Sequence, residues 1–162
     1  MKTKKLVLTA LFTALILCAT LLIQIPLPFG YVHLGDGFVL LSTFILGPFL
    51  GSVASGLGSA LADLFSGYAL YAPATFLIKF SMALFCWFTH KLLSKFCKKP
   101  LAVEIFACLI GAFIMAFGYC LYESIIFSPA SAVANVLWNL LQGSAGVVVS
   151  VTLLRFPIPK YK

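Results

Sequence analysis

The chain has 162 residues, of which 62% are hydrophobic and 9% are charged, and its mean hydropathy is +1.12. Soluble domains carry about 25% charged residues, so this composition excludes an ordinary soluble protein and indicates an integral membrane protein. Eleven basic and four acidic residues give a formal net charge of +7. The five cysteines form neither a CxxC pair nor a Cys/His cluster, so we expect neither a metal site nor a disulfide framework.

Six apolar segments predict six helices along the chain. The first, at about 6–25, resembles a signal peptide in its Lys-rich start, but it is long enough to span a bilayer and ends before Pro26. The second, at about 37–46, covers roughly half of the bilayer at 1.5 Å per residue, so it must be tilted or sheltered by protein. The others are expected at about 49–65, 73–93, 101–123 and 130–154. The sequence therefore predicts one all-α domain over residues 1–162, an integral membrane six-helix bundle with a short or tilted second helix.

The distribution of basic residues predicts the orientation of this bundle. All but one of them lie in three clusters: Lys2, Lys4 and Lys5; Lys91, Lys95, Lys98 and Lys99; Arg155, Lys160 and Lys162. Six spans place all three clusters on one side, which the positive-inside rule makes cytoplasmic. Both termini are therefore expected in the cytoplasm, and the positive charge reflects membrane topology, with no nucleic acid expected as a partner.

The polar residues that topology does not explain fall in the predicted outer half of the bundle. Ionisable groups cost several kcal/mol in hydrocarbon and usually mark a site, and polar groups among aromatic walls describe a small-molecule pocket. The pocket is expected to open to the outside. The candidate binding residues are Tyr31, His33, Asp36, Asp63, Tyr68, Tyr71, Lys79, Tyr119, Glu123, Asn135, Trp138, Asn139 and Gln142.

Each candidate has a structural alternative. Asp36 could cap the second helix, and Lys79 could form a structural ion pair with Glu123 or Asp63. The tyrosines and Trp138 could belong to the aromatic belt at the membrane interface, and the amides of the sixth helix could be interhelical hydrogen-bond partners. The prediction of a pocket therefore depends on the cluster and not on any one member.

Small residues at four-residue spacing occur on two predicted helices and allow close approach of a second helix. On the third helix they run from Gly47 to Ser59, and there internal packing is favoured. On the first helix Ala10 and Ala14 form a ridge that could equally face another subunit.

Several kinds of machinery are missing from the sequence. No Gly-x-x-x-x-Gly-Lys-Ser/Thr loop is present to bind nucleotide, and the two histidines fall on opposite sides of the membrane. No catalytic constellation follows from such parts, so the chain is not expected to be an enzyme. A binding protein without its own energy source needs a partner that has one.

Three runs of residues resemble a known family. Val32-His-Leu-Gly-Asp-Gly-Phe38, Leu46-Gly-Pro-Phe-Leu-Gly51 and Gly58-Ser-Ala-Leu-Ala-Asp63-Leu-Phe-Ser-Gly-Tyr68 are similar to the substrate-binding S-components of energy-coupling factor (ECF) transporters. They look like the riboflavin-type branch, which includes pyridoxine and hydroxymethylpyrimidine carriers. The resemblance covers nearly the whole chain.

The resemblance implies a vitamin importer in a bacterial plasma membrane. An S-component captures its vitamin outside and docks on a membrane coupling subunit, the T-component, which two cytoplasmic ATPases energise. Ala10 and Ala14 would contact the coupling subunit, and the chain would bind no cofactor of its own because the partners use the ATP. A pyridoxine- or hydroxymethylpyrimidine-like compound is the favoured substrate, and riboflavin is the alternative. The functions left open from other classes are a stand-alone channel or facilitator and a small membrane enzyme acting on lipid.

Overall fold

Six helices and one β-hairpin make up the part of the chain that the computed structural model describes, residues 2–27 and 30–156. The helices are α1 (Lys2–Leu22), α2 (Asp36–Leu46), α3 (Pro48–Phe65), α4 (Ala72–Leu93), α5 (Pro100–Ile126) and α6 (Pro129–Leu153), and the strands are β1 (Gln24–Leu27) and β2 (Gly30–His33). Five helices are long and apolar enough to cross a membrane, and α2 is shorter. The prediction of a six-helix membrane bundle with a short second helix is confirmed.

Proline and glycine set most of the helix boundaries. Pro48, Pro100 and Pro129 begin α3, α5 and α6, where the missing N–H costs nothing because first-turn N–H groups lack intrahelical acceptors. Gly47 joins α2 to α3 with a φ of 82°, a backbone conformation that other residues rarely adopt. Ser128 caps α6 by accepting a hydrogen bond from the Ser131 N–H at 3.2 Å.

The segment after α1 differs from the prediction. A helix was expected to residue 25, but α1 ends at Leu22 and the chain turns into an antiparallel hairpin. Ile25 pairs with Val32 in its register, and β-branched residues favour extended strands. Gln24 attaches the hairpin to the end of α3 by donating from Nε2 to Ser66 Oγ at 2.7 Å. We call this end of the bundle the hairpin end.

The short helix α2 lies inside the bundle. It contacts α1, α3, α4 and α6, and Val39 and Leu40 are fully buried. Protein therefore shelters the segment that is too short to span a bilayer. The six helices, α2 included, alternate in direction along the chain, so the described chain begins and ends opposite the hairpin.

Glycines bring α2 against α6. A Cβ atom at Gly37 would lie 2.4 Å from the Val149 side chain, and one at Gly146 would lie 2.8 Å from Asp36 Cβ. Only hydrogen at these positions permits such close approach of the two backbones. This packing carries Asp36 into the interior.

The two small-residue stripes face in different directions. On α3 they are buried, as internal packing requires: Gly51, Ala54, Ser55, Gly58, Ser59 and Ala62. On α1, Phe12 and Ile16 are buried, whereas Ala10 and Ala14 are exposed. The ridge on α1 is therefore a free surface of the described bundle.

Candidate binding site

A cavity opens at the hairpin end of the bundle, with about 460 Å³ of empty space if the part open to solvent is counted. Strand β2, the end of α3, the α3–α4 turn and the neighbouring ends of α4, α5 and α6 form its wall. The lining residues are Tyr31, His33, Asp63, Tyr68, Tyr71, Thr75, Tyr119, Glu123, Asn135, Asn139 and Gln142.

Most of the candidate residues from the sequence meet in this lining, and three do not. Asp36 and Lys79 are fully buried behind it, and Trp138 is 44% exposed outside it. Trp138 follows Asn135 by three positions, yet the two point to different environments because Asn135 faces α5.

Asp36 and Lys79 form an ion pair inside the bundle, and both side chains are fully inaccessible. The structural alternative, an ion pair of Lys79 with Glu123 or Asp63, is wrong as to the partner, because the α2–α6 packing brings Asp36 to the ammonium. Lys79 Nζ also lies 3.0 Å from Met115 Sδ. Asp36 does not cap α2 with its side chain, since Gly35 holds the N-cap position without a side-chain bond.

Gln142 connects this ion pair to the hairpin. Its Nε2 donates to Asp36 Oδ2 at 2.8 Å, and its Oε1 accepts the backbone N–H of His33 at 3.1 Å. A buried network that satisfies its members is rigid and specific. The floor of the cavity is therefore a fixed polar layer.

His33 is held as a neutral donor at the cavity wall. Its Nδ1 accepts the Gly35 N–H at 3.1 Å, which assigns the ring hydrogen to Nε2. The pKa of His33 is lowered to about 4, chiefly by burial; the Asp36 carboxylate opposes this shift and the Lys79 ammonium adds to it. The imidazole thus carries no charge near neutral pH.

Two carboxylates lie in the lining, and each has one oxygen engaged. Tyr31 donates its hydroxyl to Asp63 Oδ1 at 2.6 Å, and Asn135 donates from Nδ2 to Glu123 Oε1 at 3.2 Å. Burial and the nearby Asp63 carboxylate raise the pKa of Tyr31 far above its usual value, so the hydroxyl keeps its proton.

Tyrosine rings build one continuous wall. Tyr31 lies 5.0 Å from Tyr68 between ring centroids, Tyr68 lies 6.4 Å from Tyr71, and Tyr71 lies 5.4 Å from Tyr122. Rings at these separations attract one another, and Tyr31, Tyr68 and Tyr71 belong to the cavity lining whereas Tyr122 supports Tyr71 from outside it.

Sequence reasoning missed two polar residues, Thr75 and Glu104. Thr75 lines the cavity and its hydroxyl lies 3.0 Å from the Tyr119 hydroxyl; its position four residues before Lys79 on α4 was the available signal. Glu104, 6% exposed at the opposite end, forms an ion pair with Arg155. The interior polar residues are therefore not confined to the hairpin end.

Comparison with known proteins identifies the family. The sequence model of the ECF-type riboflavin transporter S component matches residues 1–156. A protein of Pyrococcus woesei described as an uncharacterized protein in the gap 3' region is 30% identical over 132 residues, 80% of this chain and 85% of that protein. A solved structure described as the S component of a bacterial ECF transporter has a TM-score of 0.77 at 22% identity, covering 96% of this chain and 95% of that one, which shows a shared fold. The chain belongs to the family of ECF-type riboflavin transporter S components, which are multi-pass membrane transport proteins and not enzymes.

Proposed function

We propose that this chain binds a small aromatic vitamin or vitamin precursor in the cavity at the hairpin end, as the S-component of an ECF-type importer. The observation that carries the proposal is the cavity itself: buried hydrogen-bonding groups and a tyrosine wall converge at one end of a membrane bundle of this family. Partner subunits, a T-component and two cytoplasmic ATPases, would supply the energy, so this chain would need no cofactor.

The closed floor favours a small ligand of the pyridoxine or hydroxymethylpyrimidine type. The ion pair and Met115 fill the space beneath the lining, and Lys79 Nζ lies 5.5 Å from the centre of the Tyr119 ring. Riboflavin, the alternative, is a much longer molecule and would have to extend through this layer or past the hairpin.

The charge distribution supports an outward-facing cavity. Lys4, Lys5 and the α4–α5 connection lie at the end opposite the hairpin. The positive-inside rule assigns that end to the cytoplasm, here of a bacterial plasma membrane, with both termini inside. The hairpin end would then sample the outside medium.

The exposed ridge on α1 supports a docking role for Ala10 and Ala14. Because the opposite face of α1 packs tightly on α3, where a Cβ at Gly58 would lie 2.7 Å from Thr13 O, the ridge is rigidly presented. Small side chains permit a partner helix to approach closely.

An uptake assay tests the proposal. Ala10→Trp or Ala14→Trp should abolish uptake by the assembled transporter while leaving ligand binding by the isolated chain unchanged. Ala102→Trp, an exposed alanine on α5, is the matched control and should keep uptake. Equal loss of binding in the α1 variants would contradict the docking assignment, and flux through this chain alone in liposomes would favour a facilitator instead.

A further inference from the structure

The ionisable groups near the cavity are not equally free to meet a ligand. The Lys79 ammonium is held behind the lining by Asp36 and Met115. Among the described residues that line the cavity there is no Lys or Arg, and there are two carboxylates, Asp63 and Glu123. The ligand-facing charge is therefore acidic, although the chain as a whole is strongly basic.

The second oxygen of each carboxylate lacks a donor. Asp63 and Glu123 are 4% and 3% exposed, and neither Asp63 Oδ2 nor Glu123 Oε2 has a hydrogen-bond partner within residues 2–27 and 30–156. A buried carboxylate oxygen left unpaired costs free energy, and more than a neutral group does. Both residues line the same cavity, so a bound molecule that reaches these two oxygens would satisfy both.

We propose that the cavity selects a cationic nitrogen heterocycle with N–H donors on two different edges, of which a protonated 4-aminopyrimidine is the simplest representative. One donor would bind Asp63 Oδ2 and the other Glu123 Oε2, while the cationic ring would lie against the tyrosine wall. This inference depends on the proposed function and specifies its substrate class.

The chemistry of the wall supports a cation. Charge-assisted N–H···O⁻ bonds are about twice as strong as neutral ones, and aromatic faces attract cations. A 4-aminopyrimidine protonated on its ring offers a ring N–H and an exocyclic amino group on separate edges, which suits two separate carboxylates. An anionic ligand would meet two acidic groups and no Lys or Arg in the lining that the structure describes.

A matched set of probes tests the inference. The purified full chain in detergent would be titrated by calorimetry at pH 6 with 4-amino-2-methylpyrimidine, its 4-oxo counterpart and pyrimidine-4-carboxylate. The amino probe should bind at least roughly 10- to 100-fold more tightly than the oxo probe, since the oxo probe lacks both the exocyclic donor and the positive charge. Asp63→Asn and Glu123→Gln should each reduce that ratio at least several-fold.

Glu104→Gln is the matched control, because it makes the same substitution in a buried acid far from the cavity, and it should leave the ratio unchanged. The ratio of affinities for the amino and oxo probes is measured on the wild-type protein, so this part of the test does not depend on whether a variant folds. Equal or tighter binding of the oxo or carboxylate probe, or no binding of the amino probe, would overturn the inference. Such a result would leave the ridge and uptake experiments intact, so failure of the substrate class and failure of the transport function remain distinguishable.

Discussion

Removal of the Lys79 ammonium should damage the protein in a way that a second substitution repairs. Lys79→Met keeps an unbranched side chain of similar volume but leaves the Asp36 carboxylate fully buried with only Gln142 as a side-chain donor. Breaking one partner of a buried pair costs about 3–5 kcal/mol, since the other charge stays uncompensated. With a shift of about 2–4 °C per kcal/mol for a chain of this size, the melting temperature should fall by roughly 6–20 °C.

The double variant Lys79→Met/Asp36→Asn should recover most of that loss, because replacing both members of a buried pair is often nearly neutral. Unfolding in detergent can be followed with a thiol-reactive dye, since Cys86 and Cys108 are buried in the native bundle. Lys91→Met, an exposed lysine on the same helix, is the control and should change the melting temperature by no more than a degree or two. The reasoning is refuted if Lys79→Met melts like Lys91→Met, or if the double variant is no more stable than the single one.

Three further outcomes follow from other contacts. Asn139→Ala, which removes an amide from the cavity lining, should weaken ligand binding by roughly 10-fold with little change in melting temperature; unchanged affinity in calorimetry would place the ligand elsewhere. The pKa of buried His33 lies near 4, whereas that of an unfolded histidine lies near 6.5, so the unfolded chain takes up the proton first as the pH falls. The contribution of His33 to the free energy of unfolding should therefore be fully present above about pH 6.5 and should fall by up to ~3 kcal/mol toward pH 4. His33→Gln should remove this loss of stability between pH 6.5 and pH 4. If plots of melting temperature against pH were parallel for wild type and variant, titration of His33 would not be the cause. Gly37→Ala should cost about 1–3 kcal/mol because its Cβ would lie 2.4 Å from Val149, and a melting temperature equal to wild type would show that α2 and α6 can separate freely.

Apolar runs and the proline and glycine residues that end helices were sufficient to predict most of the fold. Apolar runs ended by Gly47-Pro48, Pro100 and Pro129 locate helix boundaries because these residues act through the local backbone alone. The hairpin was not predicted because each strand has only four residues and the first strand begins within an apolar run that also suits a helix.

The membership of the cavity could be predicted more readily than its contacts. Hydrocarbon forces polar side chains inward, so Asp63, Glu123 and Asn135 had to converge somewhere inside the bundle. Which carboxylate meets Lys79 depends on how closely α2 approaches α6, and that distance is set by glycines on two helices distant in sequence. No local sequence pattern therefore predicts which carboxylate pairs with Lys79.

The most direct test of the central claim is native mass spectrometry of the purified protein. We expect wild type to carry one small nitrogen heterocycle, Glu104→Gln to retain it, and Glu123→Gln combined with Asn139→Ala to lose it while remaining folded. A bound lipid in place of the heterocycle, or full retention of the heterocycle by the combined variant, would contradict a vitamin site at the hairpin end.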